Sequence, residues 1–419
     1  MATTLGGLIE KIIRELTRLQ TTPAPQWEPN HDFGLPRMID AGNGGSLIIS
    51  PAIDHGIAEV ADRLFAGDAK LALRYTRAEW RAKVRRAFGP ALAQIDLDDD
   101  PASNADRVLA DIKDALGKQG FRHGPREYAF GCTLFGNPGV MPFMIGPVRF
   151  EPRLDWLARM QAEGGVSAVS RRRVENAWSG RRQRKRKRSL NSICEAGILD
   201  AVCDCAFVCS VVTHGLGPET GKGKALTAAR LATAAIALMW QTPSKALEGL
   251  NLLFDRTPHK QRALTFAPGT VVLTGSSWSH MPHGPWLETG QWEQVFSERA
   301  DHFTVVGEVL EYLVSPTGDV ARPRMMNTLA QALLWFHEGC RETVAPMAIV
   351  KFSAALDALA CGGKAGGIRR LLSARLGIPE SSPIRPDGPT LRQAIARYTG
   401  RTSSWATTGP VRETWLNSS

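Results

Sequence analysis

Ten lysines and arginines stand between residues 171 and 188: Arg171, Arg172, Arg173, Arg181, Arg182, Arg184, Lys185, Arg186, Lys187 and Arg188, against the single acid Glu175. A cluster this dense attracts polyanions by releasing their condensed counterions, which points to salt-dependent binding of nucleic acid. The competing reading is a solvated arm. Like charges packed this closely predict, under either reading, an arm without fixed structure in the absence of a ligand. The formal charge of the 419-residue chain is +10, so one short stretch holds nearly the whole excess.

Other spacings invite chemistry and fall short of it. The stretch Gly215–Lys224, GLGPETGKGK, has the glycines and lysines of a phosphate-binding loop. Its first glycine is at the wrong distance from Gly221-Lys222, and Gly223 replaces the hydroxyl residue that would hold magnesium, so a turn is the better reading. Cys203, Cys205 and Cys209 lack the paired knuckles of a structural zinc site and are expected to be small buried side chains. His280 and His283 are close enough to share a metal, but Pro282 forbids a regular helix there and no carboxylate cluster follows. Neither a GxSxG elbow nor an HExxH helix occurs. His337 is a conceivable base, with a satisfied core or surface histidine as the ordinary alternative.

The elements that would position these residues follow from apolar spacing. Leu8, Ile12, Ile13, Leu16 and Leu19 predict an opening helix, ended by Pro23, Pro25 and Pro29. Ser46–Ile53, Ala129–Phe135 and Met144–Phe150 read as strands, and Arg77–Phe88 and Ala105–Leu116 as helices. Leu190–Val212 and Thr227–Trp240 read as two buried helices, Phe266–Trp278 as a hairpin around Pro268-Gly269, and Phe303–Val314 as a strand or helix. Beyond Pro323, Leu329, Leu333, Phe336 and Cys340 mark one helix, and Ile349, Phe352, Leu356 and Leu359 a second that begins at Pro346. A shorter helix over Gly367–Leu376 and a fourth through Leu391, Ile395 and Tyr398 complete an antiparallel bundle.

The fold class is therefore α+β: a mixed α/β N-terminal region over 1–165, a basic linker or arm over 166–190, a middle region over 191–320, and a mainly α-helical domain over 322–419. Apolar residues make up 43% of the chain, enough for two or three cores. Seven cysteines, an odd number without a regular framework, favour a reducing, cytoplasmic setting. The opening segment does not read as a signal peptide, and no stretch has the uninterrupted apolar length of a membrane span.

The segments TLAQALLWFHEGCRETVAPMAIVKFSAALDALA, IRRLLSARLGI and TLRQAIARYTGRTSSWATTGP resemble the Apea-like branch of the HEPN ribonucleases. The resemblance covers roughly the last hundred residues; the stretch from Thr227 to Trp286 is similar, less specifically, to what precedes the domain in larger members. HEPN nucleases carry an arginine, four residues, then a histidine. Tyr398, Gly400 and Arg401 match that frame, and Ala406 stands where the histidine belongs.

Taken at face value, the resemblance implies a metal-independent endoribonuclease without cofactor. Arg401 would steady the phosphate, position 406 would supply the base that takes the 2′-hydroxyl proton, and Asp357 would orient the arginine or a backbone group. It further implies a homodimer, and an antiviral or toxin-type effector answering a phage-derived trigger, with the basic arm holding RNA. Ala406 has three accounts: inactivation of a toxic parent enzyme, which the otherwise preserved surroundings favour, a naturally non-catalytic member, or a shifted register. The reading from a different class is a non-catalytic RNA-binding or regulatory protein whose bundle serves assembly. A DNA-binding protein would need a reading helix attached to the basic stretch, and none is evident.

Overall fold

The computed structural model describes residues 4–21, 37–120, 124–137, 139–182, 184, 186–255, 260–266, 272–279, 284–317 and 319–396. It is α+β, with small antiparallel sheets and a helical C-terminal region. Two compact units divide the chain. One is Met1–Arg126 with Thr213–Lys224 and Val314–Gly318, and the other is Glu127–Val212, Ala225–Leu313 and Asp319–Ser419.

The first unit opens with α1 (Leu5–Thr21), a hairpin of β1 (Met38–Asp40) and β2 (Ser46–Ile48), then α2 (Pro51–Gly67), α3 (Ala69–Arg74), α4 (Arg77–Ala93) and α5 (Pro101–Gly120). Helix α1 packs on α2 and α5, and α4 on the same two. Their apolar stripes close over Ile9, Ile13, Ile53, Ile57, Val84, Phe88, Val108 and Ile112. The expected strand Ser46–Ile53 stops after Ile48, because Ser50 caps a helix instead. Its hydroxyl accepts the Ile53 N–H, and Pro51 sits at the first helical position, where its missing N–H costs nothing.

The second unit starts from a sheet in which β3 (Arg126–Cys132), β4 (Phe143–Ile145), β5 (Val148–Pro152) and β6 (Phe207–Thr213) lie in the order β3-β6-β5-β4. Strand β5 pairs antiparallel with both neighbours, setting Phe150 opposite Phe143 on one side and Cys209 on the other. The expected single strand Met144–Phe150 is thus a hairpin, turned at Gly146 (φ +55°). A Cβ on Gly146 would meet the Gly307 carbonyl at 2.6 Å, so both the turn and the close approach require glycine here.

Between β5 and β6 come α6 (Arg153–Ala162), α7 (Ala168–Trp178) and α8 (Leu190–Val202). These share a core of Trp156, Leu157, Val174, Ile198, Val202 and Val208. The apolar run Leu190–Val212, expected as one helix, is helix then strand. The break is Cys203, at φ +48°, followed by Asp204. Cys205 and Cys209 are buried, as expected of small core side chains, whereas Cys203 is only half-buried at the break.

The chain continues through α9 (Pro218–Ala237), α10 (Pro243–Gly249), the hairpin β7 (Lys260–Phe266) and β8 (Val272–Ser279), α11 (Gln291–Glu298) and α12 (Ala300–Val314). A hairpin stands in the expected region, but its first strand is Lys260–Phe266, ahead of the expected start at Phe266, and Pro268-Gly269 lie outside the described residues; Phe303–Val314 resolves as helix. Last come α13 (Pro323–Cys340), α14 (Ala345–Leu359) and α15 (Lys364–Leu376). Helices α13 and α14 pack along each other across a short connection, and α15 folds back on α14. Residues 391–396 are helical, and Leu391 and Ile395 pack with Ile368 against Leu356 and Leu372. No single helix among the described residues is long and apolar enough to cross a membrane.

Candidate nucleic-acid interface

Helix α7 presents the first three arginines, and α8 supplies the acid that organises the rest. Ser167 caps α7 by accepting the Ser170 N–H, and Gly180, at φ +69°, turns the chain out of it. The arm then runs without regular secondary structure to Ser189, the cap of α8. It is tied rather than loose. Glu195, with 9% of its side chain exposed, accepts Arg173 Nε at 3.2 Å and Arg186 Nη2 at 2.7 Å. Arg173 Nη2 also donates to the Arg184 carbonyl at 3.2 Å. The arm expected to lack fixed structure therefore has a specific tether, made by a buried acid fifteen residues beyond Gly180 that no charge count singles out.

Arg171 is spent on Glu175, one turn along α7, at 2.7 Å. Arg172, Arg181, Arg182, Arg184, Lys187 and Arg188 are exposed and, among the described residues, face no carboxylate partner. Lys185 lies outside the described residues. Beside the arm, α7 and α8 enclose a groove of about 490 Å³ with Val174, Ala177, Ala196 and Leu199 among its lining and Arg173, Arg181 and Arg186 around it. This arrangement can hold an anionic chain at the rim and an apolar group within.

In the C-terminal helices, Asp357 Oδ1 accepts the Lys364 N–H at 2.7 Å. That bond bridges the turn from α14 into α15, where Cys361 and Lys364 both take positive φ. Asp357 thus serves as an N–H acceptor. Arg401 and Ala406 lie outside the described residues, as do His280 and His283.

His337 is buried on α13, at 1% exposure, and neither ring nitrogen has a hydrogen-bond partner. Burial, together with the nearby Arg341 guanidinium, lowers its pKa to about 4, which keeps the imidazole neutral. Near it stand Asp255, both of whose carboxylate oxygens accept from Arg230, and Glu338, whose Oε1 is 3.5 Å from His337 Nδ1. The expected core histidine is found, but it is not a satisfied one. Sequence gives no signal for this, because the acids and cations around it come from α9, the segment after α10, and α13.

No protein-family model matches the chain, and neither does any curated protein or any solved structure. What the interface can do rests on its own chemistry.

The glycine-rich stretch 215–224 is mostly helix rather than turn, since α9 begins at Pro218. Its N-terminal N–H groups, the ones a phosphate would use, already hold a carboxylate: Glu79 accepts from Glu219 N at 2.7 Å, Thr220 N at 3.3 Å and Thr220 Oγ1 at 2.7 Å. Lys224 Nζ donates to the Ser315 carbonyl at 2.9 Å, and burial lowers its pKa to about 8. Thr76-x-x-Glu79 is a readable capping signature for α4, but nothing local announces that Glu79 also serves α9. Among the described residues no group of three or more His, Cys, Asp or Glu is arranged to hold a metal. Burial raises the Cys205 thiol to about 12, which makes it a poor ligand or nucleophile.

Proposed function

We propose that this protein binds RNA along residues 171–188, and that its C-terminal helices form a HEPN-type module whose ribonuclease chemistry requires histidine at position 406. The observation that carries the binding half is the set of exposed cations, Arg172, Arg181, Arg182, Arg184, Lys187 and Arg188, which have no acidic partner among the described residues and stand beside a groove lined in part by apolar side chains. Six unneutralised charges are in the range at which counterion release dominates affinity. Supporting the second half are the resemblance of the last hundred residues and the packed α13, α14 and α15. On this reading Arg401 holds the scissile phosphate, the protein works in the cytoplasm as a homodimer, and a phage-derived component is its trigger.

The non-catalytic alternative has one observation in its favour. Asp357 is committed to the Lys364 backbone, a structural task that leaves it less free to orient an arginine. Cleavage separates the two readings. Loss of a general acid–base group lowers rate by about 10² to 10⁴-fold while leaving binding groups in place. With EDTA present, Ala406→His should cut RNA to cyclic-phosphate ends at least about 100-fold faster than the parent chain. Adding Arg401→Ala should abolish the gain. Inert variants of a folded protein that still binds RNA would leave the binding reading alone standing.

A further inference from the structure

We infer that the groove between α7 and α8 is a nucleotide subsite, seating one base of a bound RNA among Ala177, Ala196 and Leu199 while Arg181 and Arg186 hold the adjoining phosphate. The inference rests on the RNA-binding reading and adds to it a defined place for a single nucleotide. Three features of the groove converge on that ligand.

The first is size, since about 490 Å³ falls within the range of small-molecule sites and accommodates a nucleoside monophosphate. The second is the division of chemistry. The apolar side chains offer a surface for the flat face of a base, and the guanidinium planes around them can both stack on a base and bind phosphate. An exposed arm that merely tracked a backbone would need no such apolar patch. The third is preorganisation. Glu195 engages the Nε of Arg173 and one edge of Arg186, fixing both side chains at the groove while leaving other N–H donors of the Arg186 guanidinium for a ligand. Glu195 is thus a positioning residue. It is itself nearly buried and its two oxygens are already engaged. Arg173 and Arg186 with Glu195 carry a net +1, and Arg181, exposed at the same groove, raises it to +2.

The test fills the groove without touching a cation. Ala196 is exposed on α8, so Ala196→Trp should fold normally, with Ala177→Leu as a second filling variant and thermal melting as the folding control. Binding of a 12-nucleotide single-stranded RNA is followed across a salt series, and AMP and inorganic phosphate are titrated separately. The subsite requires that AMP bind at least tenfold more tightly than phosphate. Filling the groove should then abolish the AMP site and weaken RNA binding about tenfold, with the slope of log affinity against log salt unchanged. Phosphate binding as well as AMP, or a filled groove that binds RNA like the parent, would overturn the subsite and leave the basic arm as the whole interface. Failure of the parent chain to bind RNA at low salt would remove the underlying reading along with the subsite.

Discussion

The carboxylate of Glu79 lies 2.7 Å from the backbone nitrogen of Glu219, so a single side chain closes the N-termini of two helices. On its own helix, α4, it accepts the Thr76 N–H at 2.8 Å in a capping box. Gly217 makes the second contact possible, since a Cβ there would stand 2.6 Å from Glu79 Oε1 and 2.9 Å from the Tyr75 ring.

Replacing this carboxylate should cost more than an ordinary cap. Burial pushes the Glu79 pKa up, but the hydrogen bonds from Thr76, Thr220 and Glu219 more than offset it, and the group ends below its ordinary value. A lowered folded-state pKa means that the stabilisation is fully present above about 4.5 and is lost as pH falls through the folded value. Glu79→Ala is therefore expected to destabilise the protein by about 2 kcal/mol at pH 7, one cap's worth at each helix. Urea melts should show the gap between parent and variant narrowing below pH 4. A constant gap down to pH 3 would mean that the charge is irrelevant.

In the second unit, Arg159 binds Glu127 and Glu151, each at 2.7 Å, and Glu163 at 3.1 Å. Glu151 is 3% exposed, so its charge has few other partners. Arg159→Leu strands buried carboxylates and is expected to cost about 3–5 kcal/mol. The triple variant Arg159→Leu, Glu127→Gln, Glu151→Gln should recover a good part of that loss. If the single variant melts within a degree of the parent, the acids have found water and the cluster is not the anchor described here.

Much of this architecture is legible in the residues. The stripes on α1, α4, α5, α13 and α14 follow helical spacing closely enough to be read directly. Where reading fails, a local event overrides a pattern that looks continuous. Ser50-Pro51 starts a helix inside an apparent strand, and Cys203-Asp204 ends one inside an apolar run that suits strand and buried helix equally. The basic segment is visible at once as charge, whereas its tether to Glu195 depends on α7 and α8 lying side by side, which no spacing within the segment encodes. The same holds for the second helix served by Glu79 and for Asp255 beside His337, both brought in from residues distant in sequence.

Charge removal from the arm should be readable as a change in slope rather than affinity alone. Each phosphate contact on a single strand contributes about 0.7 to the dependence of log affinity on log salt. Substituting Arg181, Arg182 and Arg184 together by Gln should lower that slope by about 2 and weaken binding to all RNA sequences alike. Substituting Arg171, already paired with Glu175, should change it much less. Equal effects from Arg171 and from the exposed set would contradict the assignment of the free cations.

His337 gives the fold a built-in sensitivity to acid. Charged groups act on it from α13 and beyond: Glu338 on α13, Arg341 at its C-terminal cap and Asp255 after α10, with Arg230 on α9 paired to Asp255 and Lys351 on α14 linked to Glu338. Burial and Arg341 lower the imidazole's pKa to about 4, while in the unfolded chain it titrates near 6.5. The unfolded state thus binds the proton first. Stability is unaffected above about pH 6.5, falls as pH drops toward 4, and levels off below that, with a total loss on the order of 3 kcal/mol. His337→Phe fills the same space without two unpartnered nitrogens, so it should match or exceed the parent at pH 7.5 and lose less between pH 6.5 and 4.5. Unfolding midpoints in urea across that interval provide the measurement. Parallel decline in parent and variant would place the acid sensitivity elsewhere and show that His337 finds a partner when protonated.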